Sequence, residues 1–177
     1  MTTATKPPGP KTGYAHPRCY AAPLQDCGRK ITREHAISRT LLTRFGERFM
    51  LDGMPWAKNR LTTPNEATSN VLCERHNAAL SPLDDLIGQL YDALCAFREG
   101  RAAGWRTLNG GDLERWVIKA MIGLLESNNV LDFDSTRIVS DSGPPEPWLR
   151  FLFGEADLPE GFGFHFVGNH LEGMDAC

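Results

Sequence analysis

A set of thiol and imidazole side chains at metal-ligand spacing limits most strongly how this chain can fold. In "CERHN", residues 73–77, two residues separate Cys73 from His76, so one turn of chain can offer both to the same ion. Upstream, seven residues separate Cys19 from Cys27. Three thiols and an imidazole suit tetrahedral zinc, whereas magnesium and calcium prefer oxygen ligands. His16, in "HPRC", is also spaced to pair with Cys19 and competes with Cys27 for the fourth place. The five cysteines are an odd number, and the first residues lack the apolar core of a secretory signal, which argues against a disulfide framework. Cys95 falls in a helical pattern as a small apolar core residue, and Cys177 is expected to be a loose terminal thiol.

A chain of 177 residues can bury about 70% of its extended surface, so it does not need a metal merely to fold. The zinc set therefore calls for a local reason. No apolar run approaches the roughly 20 residues of a membrane span, and a cytoplasmic protein is expected. Net charge is only −3, but it is unevenly spread. Residues 28–60 carry eight Lys/Arg against three acids, and residues 128–177 carry nine acids against Arg137 and Arg150. A polyanion responds to local potential, so the overall acidity does not exclude a nucleic-acid partner.

Along the chain, "MTTATKPPGPKTG" is expected to be a flexible arm (1–13). "GRKITREHAI" alternates as a short strand and "NVLC" as a second, with an irregular excursion over 46–69 between them. Ser38 is placed to cap a short helix over "RTLLTRF". The strongest helix signal is "SPLDD": Ser81 as N-cap, Pro82 at the first helical position, Asp84 at the capping-box position and a stripe of Leu83, Leu86, Ile87, Leu90 and Leu94 ending at Gly100. A second helix is expected over 112–127, with Leu113, Trp116, Val117, Ala120, Met121 and Leu124 on its apolar face. "RIV", "WLRFLFG" and "GFGFHFVGN" suggest strands of a small acidic β segment, with His165 as a sheet-face residue.

Just after the upstream thiol pair, "REH" places Glu34 and His35 side by side, and Asn77 directly follows the downstream pair. A carboxylate, a neutral imidazole and an amide at a helix start are the groups that metal-assisted phosphodiester hydrolysis requires. Imidazole can take a proton from water near pH 7, and the oxygens of Glu34 and Asn77 suit a magnesium or manganese ion. Neighbouring strand residues point to opposite faces, so both Glu34 and His35 can address one ion only at a strand end or bulge.

"C-x7-C-x6-EH" at 19–35 with "NVLCERHNAALSPLD" at 70–84 resembles the HNH endonucleases, the ββα-metal nucleases in which zinc pairs bracket the catalytic hairpin; the resemblance covers roughly residues 16–95. It implies His35 as general base, Glu34 and Asn77 as ligands of the catalytic Mg2+ or Mn2+, and Cys19, Cys27, Cys73 and His76 as ligands of a structural Zn2+. Asn70 falls nearest the family's middle Asn, and Asn65 competes with it. The expected protein is α+β: a zinc-stabilised ββα-metal domain over 14–98 and a helical and β accessory region over 99–177. Its expected activity is hydrolysis of DNA, with RNA also open. Arg33, Arg39 and Arg44 are placed to track phosphates. The alternative is a catalytically inactive zinc-built module that binds nucleic acid or a protein. The acidic C-terminal part is expected to pack on the nuclease core, restrain it or contact a protein partner.

Overall fold

A computed structural model describes residues 5–50, 61–101, 107–127, 130–131, 137–138, 142–158, 160–161 and 163. Among them the fold is mixed α and β, with four α-helices and three two-stranded antiparallel sheets. The central sheet joins β1 (Ile31–Glu34) to β4 (Ser69–Cys73), the two strands expected from the alternating patterns. Ile31 lies opposite Cys73 and Thr32 opposite Leu72; the register then slips, so that Glu34 meets Ser69. That irregularity, followed at once by the end of β1, supplies the break that a Glu–His pair on a strand was expected to need. The excursion is more ordered at its base than expected: β2 (Phe49–Met50) pairs with β3 (Leu61–Thr62).

β4 runs directly into α2 (Glu74–Arg98). The helix therefore starts seven residues before Ser81, and Pro82 lies inside it, contrary to the strong "SPLDD" start signal. Proline cannot donate to the carbonyl of Ala78, but Ala78 is exposed and water can serve that carbonyl. Two fully buried leucines, Leu80 and Leu83, flank the proline and hold the helix continuous through it. Gly100, in the left-handed region at φ 64°, follows the helix as expected. Short α1 (Arg39–Leu42) follows Ser38 and packs on α2, where Gly88 leaves room for Thr40.

α3 (Gly110–Glu126) forms close to its expected span, with the Asn109 side chain accepting from the Asp112 amide. Its inward face is not the expected one. The buried residues are Asp112, Arg115, Ile118, Lys119, Ile122 and Gly123, whereas Met121 is 51% exposed. Charged residues with specific partners displace the plain apolar stripe. "WLRFLFG" also departs from expectation and forms α4 (Glu146–Leu152) instead of a strand. Prolines at the start favour a helix there, and Leu149 and Leu152, one turn apart, are both fully buried. "RI" does form a strand, β6 (Arg137–Ile138), paired with β5 (Val130–Leu131). His165, His170 and Cys177 lie outside the described residues.

One apolar core holds Leu24, Leu72, Leu80 and Leu83 together with Ile118, Ile122, Leu149 and Phe153, so it crosses the boundary expected at residue 98. Residues 5–13, expected to be a loose arm, are tied down. Arg75 donates to the carbonyls of Pro8 and Pro10 and pairs with Asp26, and Thr5 is buried. Cys95 is buried near the end of α2, but as a disulfide-bonded residue rather than the plain apolar thiol expected. Among the described residues, no helix is long and apolar enough to cross a membrane.

Because Pro82 is inside the helix rather than at its start, Pro82→Ala should stabilise the protein by about 1–2 kcal/mol: the restored helical bond outweighs the extra freedom of the unfolded chain. Urea unfolding measures this, and no change or a loss would place the helix start at Ser81.

Candidate metal centre

Cys19 precedes the short 3-10 turn Ala22–Leu24, whose first amide bonds the Cys19 carbonyl at 2.9 Å. The chain reverses through Gln25, which adopts the left-handed conformation at φ 53°, and reaches Cys27, whose amide bonds the Tyr14 carbonyl at 2.8 Å. Cys73 ends β4 at the N-cap of α2, and His76 lies in the first helical turn. All four side chains are buried, and their ligand atoms lie within 4.8 Å of one another. His76 Nδ1 is 3.2 Å from Cys73 Sγ and 3.7 Å from Cys19 Sγ. Bond lengths of about 2.3 Å to sulfur and 2.0–2.1 Å to nitrogen put neighbouring ligand atoms of tetrahedral zinc roughly 3.5–3.8 Å apart, so the cluster needs only small adjustment to hold such an ion.

The thiols carry the same message. Hydrogen bonds from Cys19 and Cys27 hold Cys73 far below the ordinary thiol range, as a thiolate. The bonds that Cys19 makes to Cys27 and Cys73, with burial, push its own thiol far up. Cys27 is lowered by its bond with Cys19 but raised further by Cys73 and burial, and ends above its ordinary value. Three packed thiols thus compete for one negative charge, which a divalent cation would relieve. Two backbone amides already point at sulfur: Gly28 N to Cys73 Sγ at 3.2 Å and Cys73 N to Cys19 Sγ at 3.4 Å. His76 departs from the usual pattern in one respect. Its Nε2 is buried without a partner, and its ring lies against Phe153 at 4.7 Å between centroids.

Of the two alternatives for the fourth place, the fold brings in Cys27. His16 is half-buried, accepts from the Arg18 amide at 3.1 Å and meets Tyr14 edge-on.

Beyond the cluster, the other expected site residues separate. His35 follows β1, half-buried, with Nε2 3.0 Å from the Pro64 carbonyl. A carbonyl only accepts, so Nε2 carries the proton and Nδ1 is the basic nitrogen. Burial pushes the His35 pKa down, and the Pro64 bond, which favours the charged ring, offsets this only in part. Asn77 donates from Nδ2 to Thr32 Oγ1 and to the Arg33 carbonyl, both at 3.0 Å. The Arg33 carbonyl likewise fixes which end of the amide is nitrogen, and Oδ1 remains available to a cation. Asn70 and Asn65 are both exposed.

Glu34, expected on a catalytic ion, has a different partner here. It is 2% exposed, and Lys119 Nζ lies 2.8 Å from its Oε1, at an angle that leaves this oxygen without an aligned hydrogen-bond donor. Burial pushes its pKa up, and Lys119 pulls it back only in part. Lys119 also bonds Asp84 Oδ1 at 2.7 Å and the His35 carbonyl at 3.0 Å. Of the basic candidates, Arg33 and Arg39 are exposed, but Arg44 is engaged at both ends of its fork by Asp92, at 2.7 and 2.6 Å. Lys119, Asp84 and Pro64 were missed from sequence because their partners are 29 or more residues away.

The purified protein should contain about one zinc per chain. Cys27→Ser or Cys73→Ser should abolish it and lower Tm by roughly 10 °C or more, while His16→Ala keeps it. Atomic absorption and thermal melts decide this, and zinc that follows His16 rather than Cys27 would overturn the ligand set.

Comparisons with protein-family models, with curated proteins and with solved structures return no match for this chain.

Proposed function

We propose that this chain is an HNH-type, metal-dependent nuclease hydrolysing DNA phosphodiester bonds. The observation that carries this reading is the state of His35. Its Nε2 lies 3.0 Å from the Pro64 carbonyl, which takes the Nε2–H, burial pushes its pKa down, and Nδ1 is left as the proton acceptor that activation of water requires. Support also comes from the order of the elements. Strands β1 and β4 and helix α2 close on the four metal-type ligands, which fixes the turn that carries Asn77 and ties its amide to β1. Cys19, Cys27, Cys73 and His76 would hold zinc as a structural ion.

Asn77, through Oδ1, is the residue that would hold a catalytic Mg2+ or Mn2+, with phosphate oxygens and water completing its shell. Such an ion supplies charge neutralisation at the leaving oxygen. Within the chain, His35 Nδ1 accepts the proton of the attacking water, and Pro64 keeps the ring from turning. Arg33 and Arg39, exposed near β1 and at the start of α1, would attract the phosphate backbone without reading sequence.

A second reading, a zinc-built module that binds nucleic acid without cutting it, is favoured by one observation. The Glu34 carboxylate is turned to Lys119 and so is lost as an ion ligand.

Supercoiled-plasmid cleavage by zinc-loaded protein with Mg2+ or Mn2+ separates the two. Nicking should fall by about 10²–10⁴-fold in His35→Ala, at unchanged zinc content and melting temperature. An intact plasmid under both ions, with equal DNA affinity for the wild type and His35→Ala, would instead establish the binding module.

A further inference from the structure

The polar cluster around Lys119 lies at the end of β1 and is assigned no role by the proposed chemistry. Lys119 is 0% exposed, on α3, in the accessory stretch that the HNH resemblance does not cover. Its ammonium donates to two acceptors, the His35 carbonyl at 3.0 Å and Asp84 Oδ1 at 2.7 Å, and lies 2.8 Å from Glu34 Oε1 as an ion pair. Burial alone would pull the ammonium down, but Glu34 and Asp84 together push its pKa above the ordinary range, so it stays charged. Asp84 is further held by the Ser38 hydroxyl, which in turn accepts from Trp116 Nε1 at 2.6 Å. Four elements thus meet at one ammonium: the end of β1, the N-cap of α1, the middle of α2 and the inner face of α3.

Close backbone packing makes the reach possible. Gly123, one turn after Lys119 on the same face, lies so near Ala36 that an added Cβ would come within 3.0 Å of the Ala36 Cβ. α3 can therefore press directly on the residue that follows His35.

We infer that Lys119 is a positioning residue for the proposed nuclease site: contributed by α3, it fixes the main chain of His35 through its carbonyl while drawing Glu34 into the core, so that the accessory region completes the site. This inference rests on the nuclease reading for its catalytic consequence, but the hold on His35 can be measured without catalysis. Between them, Lys119 and Pro64 grip His35 at the backbone and at Nε2, which leaves the imidazole little freedom to turn Nδ1 away from a water. Misplacement of a reacting group by about 1 Å is enough to cost about 100-fold in rate.

Lys119→Met alone would leave two carboxylates facing each other in the core and could prevent folding. The test therefore compares wild type, Glu34→Gln and the double variant Glu34→Gln/Lys119→Met, each checked for zinc content and melting temperature. The readouts are plasmid nicking with Mn2+ and the His35 ring proton resonance, assigned by its disappearance in His35→Ala. Relative to Glu34→Gln, the double variant should lose about a further 100-fold in kcat with KM within about twofold, and its His35 resonance should shift or broaden. If its kcat and His35 resonance both match those of Glu34→Gln, Lys119 merely neutralises a carboxylate and the inference is overturned. If zinc-loaded wild type does not nick at all, the nuclease reading fails, and the resonance alone decides: a changed signal in the double variant keeps the positioning role, and an identical one removes it.

Discussion

Three thiols and an imidazole closed off from water form the constraint around which this fold is arranged. Their ligand atoms lie within 4.8 Å of one another, yet they come from stretches more than forty residues apart. Metal binding requires deprotonated thiols, and a divalent cation offsets the repulsion between thiolates packed this closely, so the cluster gains its full value only when a cation joins it. Its position explains the local geometry. Cys27 immediately precedes the Gly28 amide that bonds Cys73 Sγ, which lays the start of β1 against the end of β4. Cys73 and His76 then force the chain into a helix at once, before the serine–proline signal at Ser81 is reached.

From that anchor, β1 is only four residues long, and His35 follows its last residue. The strand is thus held at both ends by unlike chemistry, a sulfur cluster at Gly28 and a buried ammonium at the His35 carbonyl. Between these points, Asn77 bonds the Arg33 carbonyl and Thr32. A residue so placed has its main chain determined by the ion site, by α2 and by α3 together, while only its ring reaches toward Pro64. For the base proposed at His35, this arrangement would keep rotamer freedom out of the reacting geometry.

The sequence made the metal centre legible because ligand chemistry is written in residue types and short spacings: Cys73 and His76 alone define one pair, and the only open choice was His16 or Cys27. The strands carrying Glu34 and Cys73 were legible for the same local reason. What failed depended on distant partners. The apolar pattern of α3 put Leu113, Trp116, Val117, Ala120, Met121 and Leu124 on its inner face, and of these Trp116 packs on the core; nothing near Lys119 in sequence tells that Glu34 and Asp84 await it across the core. "WLRFLFG" has aromatic and branched residues that favour strands, but Pro145 and Pro147 just before it favour a helix start, and the shared burial of Leu149 and Leu152 one turn apart settled it. Ser81 and Pro82 formed a valid start signal that tertiary contacts at Leu80 and Leu83 overrode.

The buried charges themselves bear on which function the fold serves. Removing an ammonium and two carboxylates from water costs several kcal/mol per ion, and apolar side chains of similar volume fill such a space at equal or lower free energy. The packing of α3 on the hairpin therefore does not require Lys119; Ile118, Ile122 and the close approach of Gly123 to Ala36 already supply it. What an apolar residue at 119 could not do is donate to the carbonyl of His35. Under the proposed nuclease reading, the double hold on His35 would keep Nδ1 placed for a water, although Glu34 pairs with Lys119.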